Sequence, residues 1–430
     1  MKSEKFNFYD SNSCDNKVEL IASELLGEIK KMPIVDAHSH LAKEEEALAQ
    51  NADIFTRIFF QYSITNAKSA GFSKGREWLK DTSIPLEDRW EAFKPYLEHI
   101  RETGYARAAC ITARELYGIE EINDDTYKEL SRKLQLENRP GLYNRILKEK
   151  CNIKRILNQG TWKDDGIDGY AVSLYRKFLG IYTAHGKRTL ESNYIRLKEL
   201  SGGDFKSLDD FVQCWFNEII EQDYIGVKFA SDFSGTIPEK SDAESAFQKL
   251  RQGRMNESES QLLALWIVHR VIDEAGKNGL VVAIHCGLSW DCGENFYDAR
   301  PQNIIKTVLE YPNTKFDIYH GGIPWVREVA VLANQCPNVY LNLAWCHQIS
   351  PFMTVNMLNE WMDIVPVNKI IGFGGDLIFP EKTYGTLMLA MENIAQVLAI
   401  RMQKTELKYS KAVDICRMWF YENPLAIYNL

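Results

Sequence analysis

The pattern of apolar and polar positions changes near residue 220. Beyond it, short apolar runs alternate with stretches of helical spacing. Tyr224 to Phe229, Leu280 to His285, Phe316 to His320, Val339 to Ala344 and Lys369 to Phe373 read as strands. Leu262 to Ala275, Ile304 to Tyr311, Val326 to Asn334 and Val355 to Val365 read as the helices between them, and two further helices follow Tyr384. The strands show little polar alternation, as expected when both faces are buried. Strands alternating with helices predict a parallel sheet.

The first part of the chain is less regular. Val18, Ile21, Leu25 and Ile29 predict a helix that Pro33 ends. Ile34-Val35 then begins a strand running into Asp36-Ala37-His38-Ser39-His40. Residues 45 to 220 read as mainly helical, with many aromatics and dense charge such as Glu44-Glu45-Glu46. Those acidic runs fit a solvated helix face. Cys110-Ile111-Thr112 and Ile153 to Leu157 are candidate strands within this region.

One early strand and five later strand–helix units suit a single (β/α)8 TIM-like barrel over residues 1–430. The mainly helical stretch 45–220 is then a large insertion after the first strand. A doubly wound sheet is the alternative, but no GxGxxG follows the first strand.

Composition narrows the function. With 430 residues, 45% hydrophobic and 26% charged, the chain is of globular type. A net charge of -8 provides no basic field for nucleic acid or anionic lipid. No apolar run is long enough to span a membrane, and MKSEKFNFYD lacks the apolar centre of a signal peptide. The nine cysteines are scattered and form no CxxC pair, which fits reduced thiols in a cytoplasmic protein.

The chain has eight histidines, and four end predicted strands: His38, His40, His285 and His320. His347 and Asp376 lie just past two others. In a barrel those ends converge on one mouth. His38 and His40 point the same way from one strand, because side chains repeat every two residues. Imidazoles with a carboxylate suit a divalent metal, zinc by default, with bound water brought towards ionisation at neutral pH. Asp376 can orient such a water and take its proton.

Each candidate also has a plainer reading. His285 alone could be a buried histidine bonded to a carbonyl, and His320 a turn residue before Gly321-Gly322. His347 could enter the pocket or cap a loop. His99 and His269 fit helices, and His185 is undecided. Lys228 has three readings: carbamylated bridge between two metals, ammonium for a substrate carboxylate, or a lysine reaching water. Arg300 could pair with an anionic substrate or lie on the surface. Trp290, Trp325 and Trp345 could line the pocket or pack loops, while Cys286 and Cys346 should point away from the mouth.

Asp36 to His40, His285, His320-Gly321-Gly322 and Gly374-Gly375-Asp376 with Phe379-Pro380 together resemble the amidohydrolase superfamily. The branch that includes aminocarboxymuconate-semialdehyde decarboxylase is the most similar, and Tyr421 to Ala426 resembles its closing helix. The helical insertion is distantly similar to that of uronate isomerase. The resemblance covers Asp36 to His40 and about 224 to 430, and is poor across 45 to 220. It implies a distorted (β/α)8 barrel with one or two metals. His38, His40, His285 and Asp376 would be ligands, with Asp376 also the base. His320 would be a second-site ligand or an acid/base, and Lys228 would fall where binuclear members carry a carbamylated lysine.

The expectation is a metal-dependent hydrolase acting on an amide, lactone or ester of a small molecule that carries a carboxylate. A uronate-type isomerase or a decarboxylase on the same site is the alternative. Lys228, Arg300, Trp290, Trp345 and His347 are the substrate-binding candidates. A non-catalytic sensor is a third reading, and homo-oligomerisation is left open.

Overall fold

A computed structural model describes residues 11–159, 171–174, 186–230 and 236–430. His185 lies outside these residues. The parallel strands are β1 (Ile34–Ser39), β2 (Ile153–Asn158), β3 (Ala171–Ser173), β4 (Gly226–Ala230), β5 (Val281–His285), β6 (Lys315–Tyr319), β7 (Val339–Asn342) and β8 (Ile370–Ile371). They pair in the orders β1-β2-β3 and β4-β5-β6-β7-β8. Backbone bonds just past β8 join the two groups: Ala37 N–H donates to the Phe373 carbonyl (3.1 Å) and His40 N–H to Leu377 (2.9 Å). The architecture is a (β/α)8 TIM-like barrel.

The register brings the chemical residues to one rim. His285 pairs with Ala230 on one side and Tyr319 on the other, so His320 follows one step above. The opposite end is closed by the C-terminal segment. Lys315 Nζ donates to the Ile427 carbonyl (2.9 Å) and Asn429 Nδ2 to Gly279 (3.1 Å), both at strand starts. Ile427 and Tyr428 pack among Val35, Ala37, Val281, Ala283 and Tyr319, all buried. Access to the histidines is therefore from the carboxyl rim.

The run between β1 and β2 forms six helices and two π-helical turns, from Glu44 to Lys150. It has an apolar core of its own, including Phe55, Phe59, Trp90 and Phe93. The helix Gly104–Tyr117 starts where the Thr103 side chain accepts from Ala106 N–H and stops at Gly118, whose φ is 62°. Cys110-Ile111-Thr112 lies inside it, so the candidate strand there is corrected to helix: the apolar side of an amphipathic helix imitates a short strand. This helix packs on Pro380–Lys404 so closely that a Cβ on Gly385 would stand 2.1 Å from the Ala108 carbonyl oxygen.

The region 45–220 is not one helical insertion. It also holds β2 and β3, followed by the helices Gly186–Leu200 and Leu208–Glu221. The expected strand at Ile153 to Leu157 is β2. Exposed Lys154 and Arg155 break its apolar run, which hid its membership of the barrel. Among the described residues no helix is long and apolar enough to cross a membrane.

Candidate active site

The site begins with an anchored strand end. Asp36, fully buried, accepts from His38 N–H (3.2 Å) and Gly375 N–H (2.9 Å) through Oδ1, and from Ser39 Oγ (2.7 Å) through Oδ2. Burial raises its carboxyl to about 6 against these bonds. Asp36 thus ties the His38–His40 strand end to the turn carrying Asp376.

Asp376 has φ 54°, in the left-handed region. Its N–H donates to the His38 carbonyl (2.7 Å), and its own carbonyl accepts from Tyr62 Oη (2.8 Å) and Gln61 Nε2 (3.3 Å). The carboxylate Oδ1 then lies 3.2 Å from His38 Nε2 and 3.1 Å from His40 Nε2. His320 (φ 63°) and Trp345 (φ 69°) are also left-handed non-glycine residues. Such conformations are unfavourable, and here they mark the ends of three neighbouring strands.

His320 stands 4.0 Å from Asp376 Oδ2 through Nδ1. That nitrogen is 3.1 Å from the Ala344 carbonyl, which can only accept, so Nδ1 carries the proton. Neutral His320 therefore presents Nε2 as an acceptor or ligand. The His285 ring is 4.6 Å from that of His320, and His285 Nε2 is 3.1 Å from the Leu288 carbonyl. His285 thus joins the group of rings with Nε2 committed.

The electrostatics favour neutral His38, His285 and His320 near one anion. Burial lowers His38 to about 3 and His285 to about 4, and pushes His320 well down. Burial opposes the Asp376 charge, yet His38 and His40 outweigh it and hold the carboxyl well below its usual range. The donor atoms of His38, His40 and Asp376 lie within 4.8 Å of one another, and the buried His38 Nδ1 has no hydrogen-bond partner among the described residues. Two imidazoles and a carboxylate at this spacing fit a divalent cation.

The other candidates separate. Lys228 is buried, with Nζ 3.6 Å from the centre of the Tyr319 ring, so the reading of a lysine reaching water is removed. Trp345 is buried against Tyr62 (4.5 Å between rings) and His320 (5.3 Å). Trp290 is half-exposed and lies under Arg76. Arg300 is exposed and donates from Nε to Asn303 (3.2 Å). His347 is corrected to a structural histidine: Nε2 is 2.9 Å from the Gly372 carbonyl and Nδ1 is 3.2 Å from Asn393 Nδ2, leaving no ring nitrogen for a ligand. Cys286 and Cys346 are buried in the core, as expected. His269, inside Glu257–Lys277, bonds Tyr311 Oη (3.0 Å).

Tyr62, Gln61 and Tyr105 escaped the sequence reading. All belong to the run between β1 and β2, and only the folded chain brings Tyr62 and Gln61 to Asp376. Tyr62, Tyr105, Trp345 and Leu377 form one buried cluster beside His320.

Residues 245–430 match the amidohydrolase family model. That match covers the C-terminal part of the chain, which holds β5 to β8 and no strand before β5. The whole chain has the fold of the uronate isomerases. It covers 97% of the glucuronate isomerase of Caulobacter crescentus with all of its own length, at 16% identity and a TM-score of 0.76. It matches the uronate isomerase of Thermotoga maritima over 95% of this chain and 97% of that one, at 15% identity and the same TM-score of 0.76. Protein fluG of Emericella nidulans is 24% identical over 151 residues, which are 34% of this chain and only 17% of that protein.

Proposed function

We propose that this chain is a metal-dependent hydrolase acting on an amide, lactone or ester of a small carboxylate in the cytoplasm. The observation that carries this is the meeting of His38, His40 and Asp376 donor atoms within 4.8 Å. His38, His40, His285 and Asp376 would hold a divalent cation, zinc by the donor set, and one or two ions fit the proposal. When bound, the cation supplies positive charge that acidifies a water and polarises a carbonyl.

The protein's own groups do the rest. Asp376, kept ionised by its two histidines, accepts the proton of the attacking water and returns it to the leaving group. His320 Nε2 accepts a hydrogen bond from water or substrate, its orientation held by the Ala344 carbonyl. Tyr62 and Gln61 hold the Asp376 backbone and limit its movement. Trp345 and Tyr62 exclude water from one wall. Lys228, over Tyr319, contributes positive charge that favours an acidic substrate.

A second reading is favoured by the fold likeness over the full chain length: isomerisation of a uronate, or decarboxylation, with no water consumed. Turnover of a panel of lactones, acid amides, esters and uronates in ¹⁸O-labelled water separates the readings. Hydrolysis leaves the label in the product acid. A uronate converted to its isomer, or a carboxylate lost as carbon dioxide, with no hydrolytic product from any panel member, refutes the hydrolase reading.

A further inference from the structure

Arg76 lies near the start of the helix Gly75–Lys80, in the run between β1 and β2. Its guanidinium carbon is 3.9 Å from the centre of the Trp290 ring, five residues beyond His285. Nε, Nη1 and Nη2 are all shut away from solvent, and among the described residues none has a hydrogen-bond partner. Of the acids whose charge reaches Arg76, Asp291 accepts a hydrogen bond from Lys68 Nζ (2.7 Å) and Glu77 pairs with Lys80 Nζ (2.7 Å), and neither hydrogen-bonds the guanidinium. Tyr62, within electrostatic reach of Arg76, is the residue that donates to the Asp376 carbonyl.

A guanidinium removed from water without acceptors is unfavourable. Its donors form a planar fork that matches a carboxylate, and stacking on an indole fixes the plane of that fork. The positions of Trp290 after β5 and Tyr62 beside Asp376 put the fork at the same rim as the histidines. We propose that Arg76, stacked on Trp290, binds the carboxylate of the substrate and so sets its orientation towards Asp376. This rests on the reading of the rim as a site for a small acid, and gives that role to Arg76 in place of the exposed Arg300.

The test uses full-length protein stripped of metal and moved into chelator-free buffer. Melting temperature and tryptophan emission are followed against acetate, malonate, benzoate and glucuronate, with sodium chloride at equal ionic strength as the reference. At least one carboxylate should stabilise the wild type, and Arg76→Met should bind it about 30-fold more weakly or worse. Arg76→Lys, which keeps the charge and loses the fork, should fall between, and it preserves the test if the methionine variant folds poorly. If no carboxylate separates the wild type from both variants, the assignment is overturned. Metal content after reloading is measured separately. Normal metal uptake by Arg76→Met fits the proposal, whereas failure of His38→Ala to reduce uptake would count against the metal site and not against Arg76.

Discussion

Asp376 grips His38 twice, by its N–H on the His38 carbonyl (2.7 Å) and by its Oδ1 beside His38 Nε2 (3.2 Å). The first contact sets the backbone and the second uses it. Asp36 reinforces the pair from below by holding Gly375 N–H and His38 N–H on one oxygen. The geometry of the His38, His40 and Asp376 cluster is thus held by main-chain bonds between the first strand and the turn after the last.

Asp36→Ala should therefore damage both stability and metal retention. It leaves three buried donors, the N–H groups of His38 and Gly375 and the Ser39 hydroxyl, without their acceptor. Each such loss costs about 1–3 kcal/mol, with partial relaxation expected, so a total near 3 kcal/mol is reasonable. Denaturant unfolding and metal analysis of the purified variant check both effects. Unchanged metal content would show that Asp36 does not orient the ligands.

Asp376→Asn should separate chemistry from folding. The backbone bonds to His38, Tyr62 and Gln61 do not involve the carboxylate and should persist. Turnover should fall by about 10²–10⁴ through loss of the base, and metal affinity should fall with the charge. Circular dichroism melts should stay near the wild type. A fully active Asn variant would exclude Asp376 as the proton acceptor.

The ligand assignment is tested by three histidines taken together. His38→Ala should remove most of the bound metal, since His38 lies in the donor cluster. His285→Ala should also lower it, because its ring joins that of His320 at the same rim. His347→Ala should leave the metal unchanged, with its ring nitrogens bonded to Gly372 and Asn393. Metal-to-protein ratios after equal exposure to zinc decide the order.

The strands β4 to β8 were legible because burial on both faces leaves uninterrupted apolar runs. The convergence of His38 and His40 on Asp376 was legible for a related reason: a period of two on a strand aims both at one point. β2 was harder to place, since Lys154 and Arg155 are exposed on it. His347 misled because Trp345 turns left-handed, which ends the alternation that would have carried the next side chains to the mouth. Tyr62 and Arg76 carry no local signal. Their placement is set by contacts with Asp376 and Trp290, 314 and 214 residues away in sequence.

His347 should make the fold acid-sensitive within a definite window. Burial lowers its folded pKa to about 4, with the Gly372 carbonyl opposing. The unfolded value is about 6.5. Above that value both states are neutral, and the two hydrogen bonds of His347 contribute in full. As pH falls from 6.5 towards 4, the unfolded chain binds a proton that the native ring refuses, so native stability drops. The slope approaches about 1.4 kcal/mol per pH unit, which makes roughly 2 kcal/mol between pH 6.5 and 5. His347→Gln has no proton to bind. It should be less stable than the wild type at pH 7.5, and the gap should narrow by that amount at pH 5. Guanidinium unfolding midpoints at the two pH values measure the difference. A gap that stays constant, or widens, would mean that His347 is protonated in the native state and that its bonds to Gly372 and Asn393 do not hold it neutral.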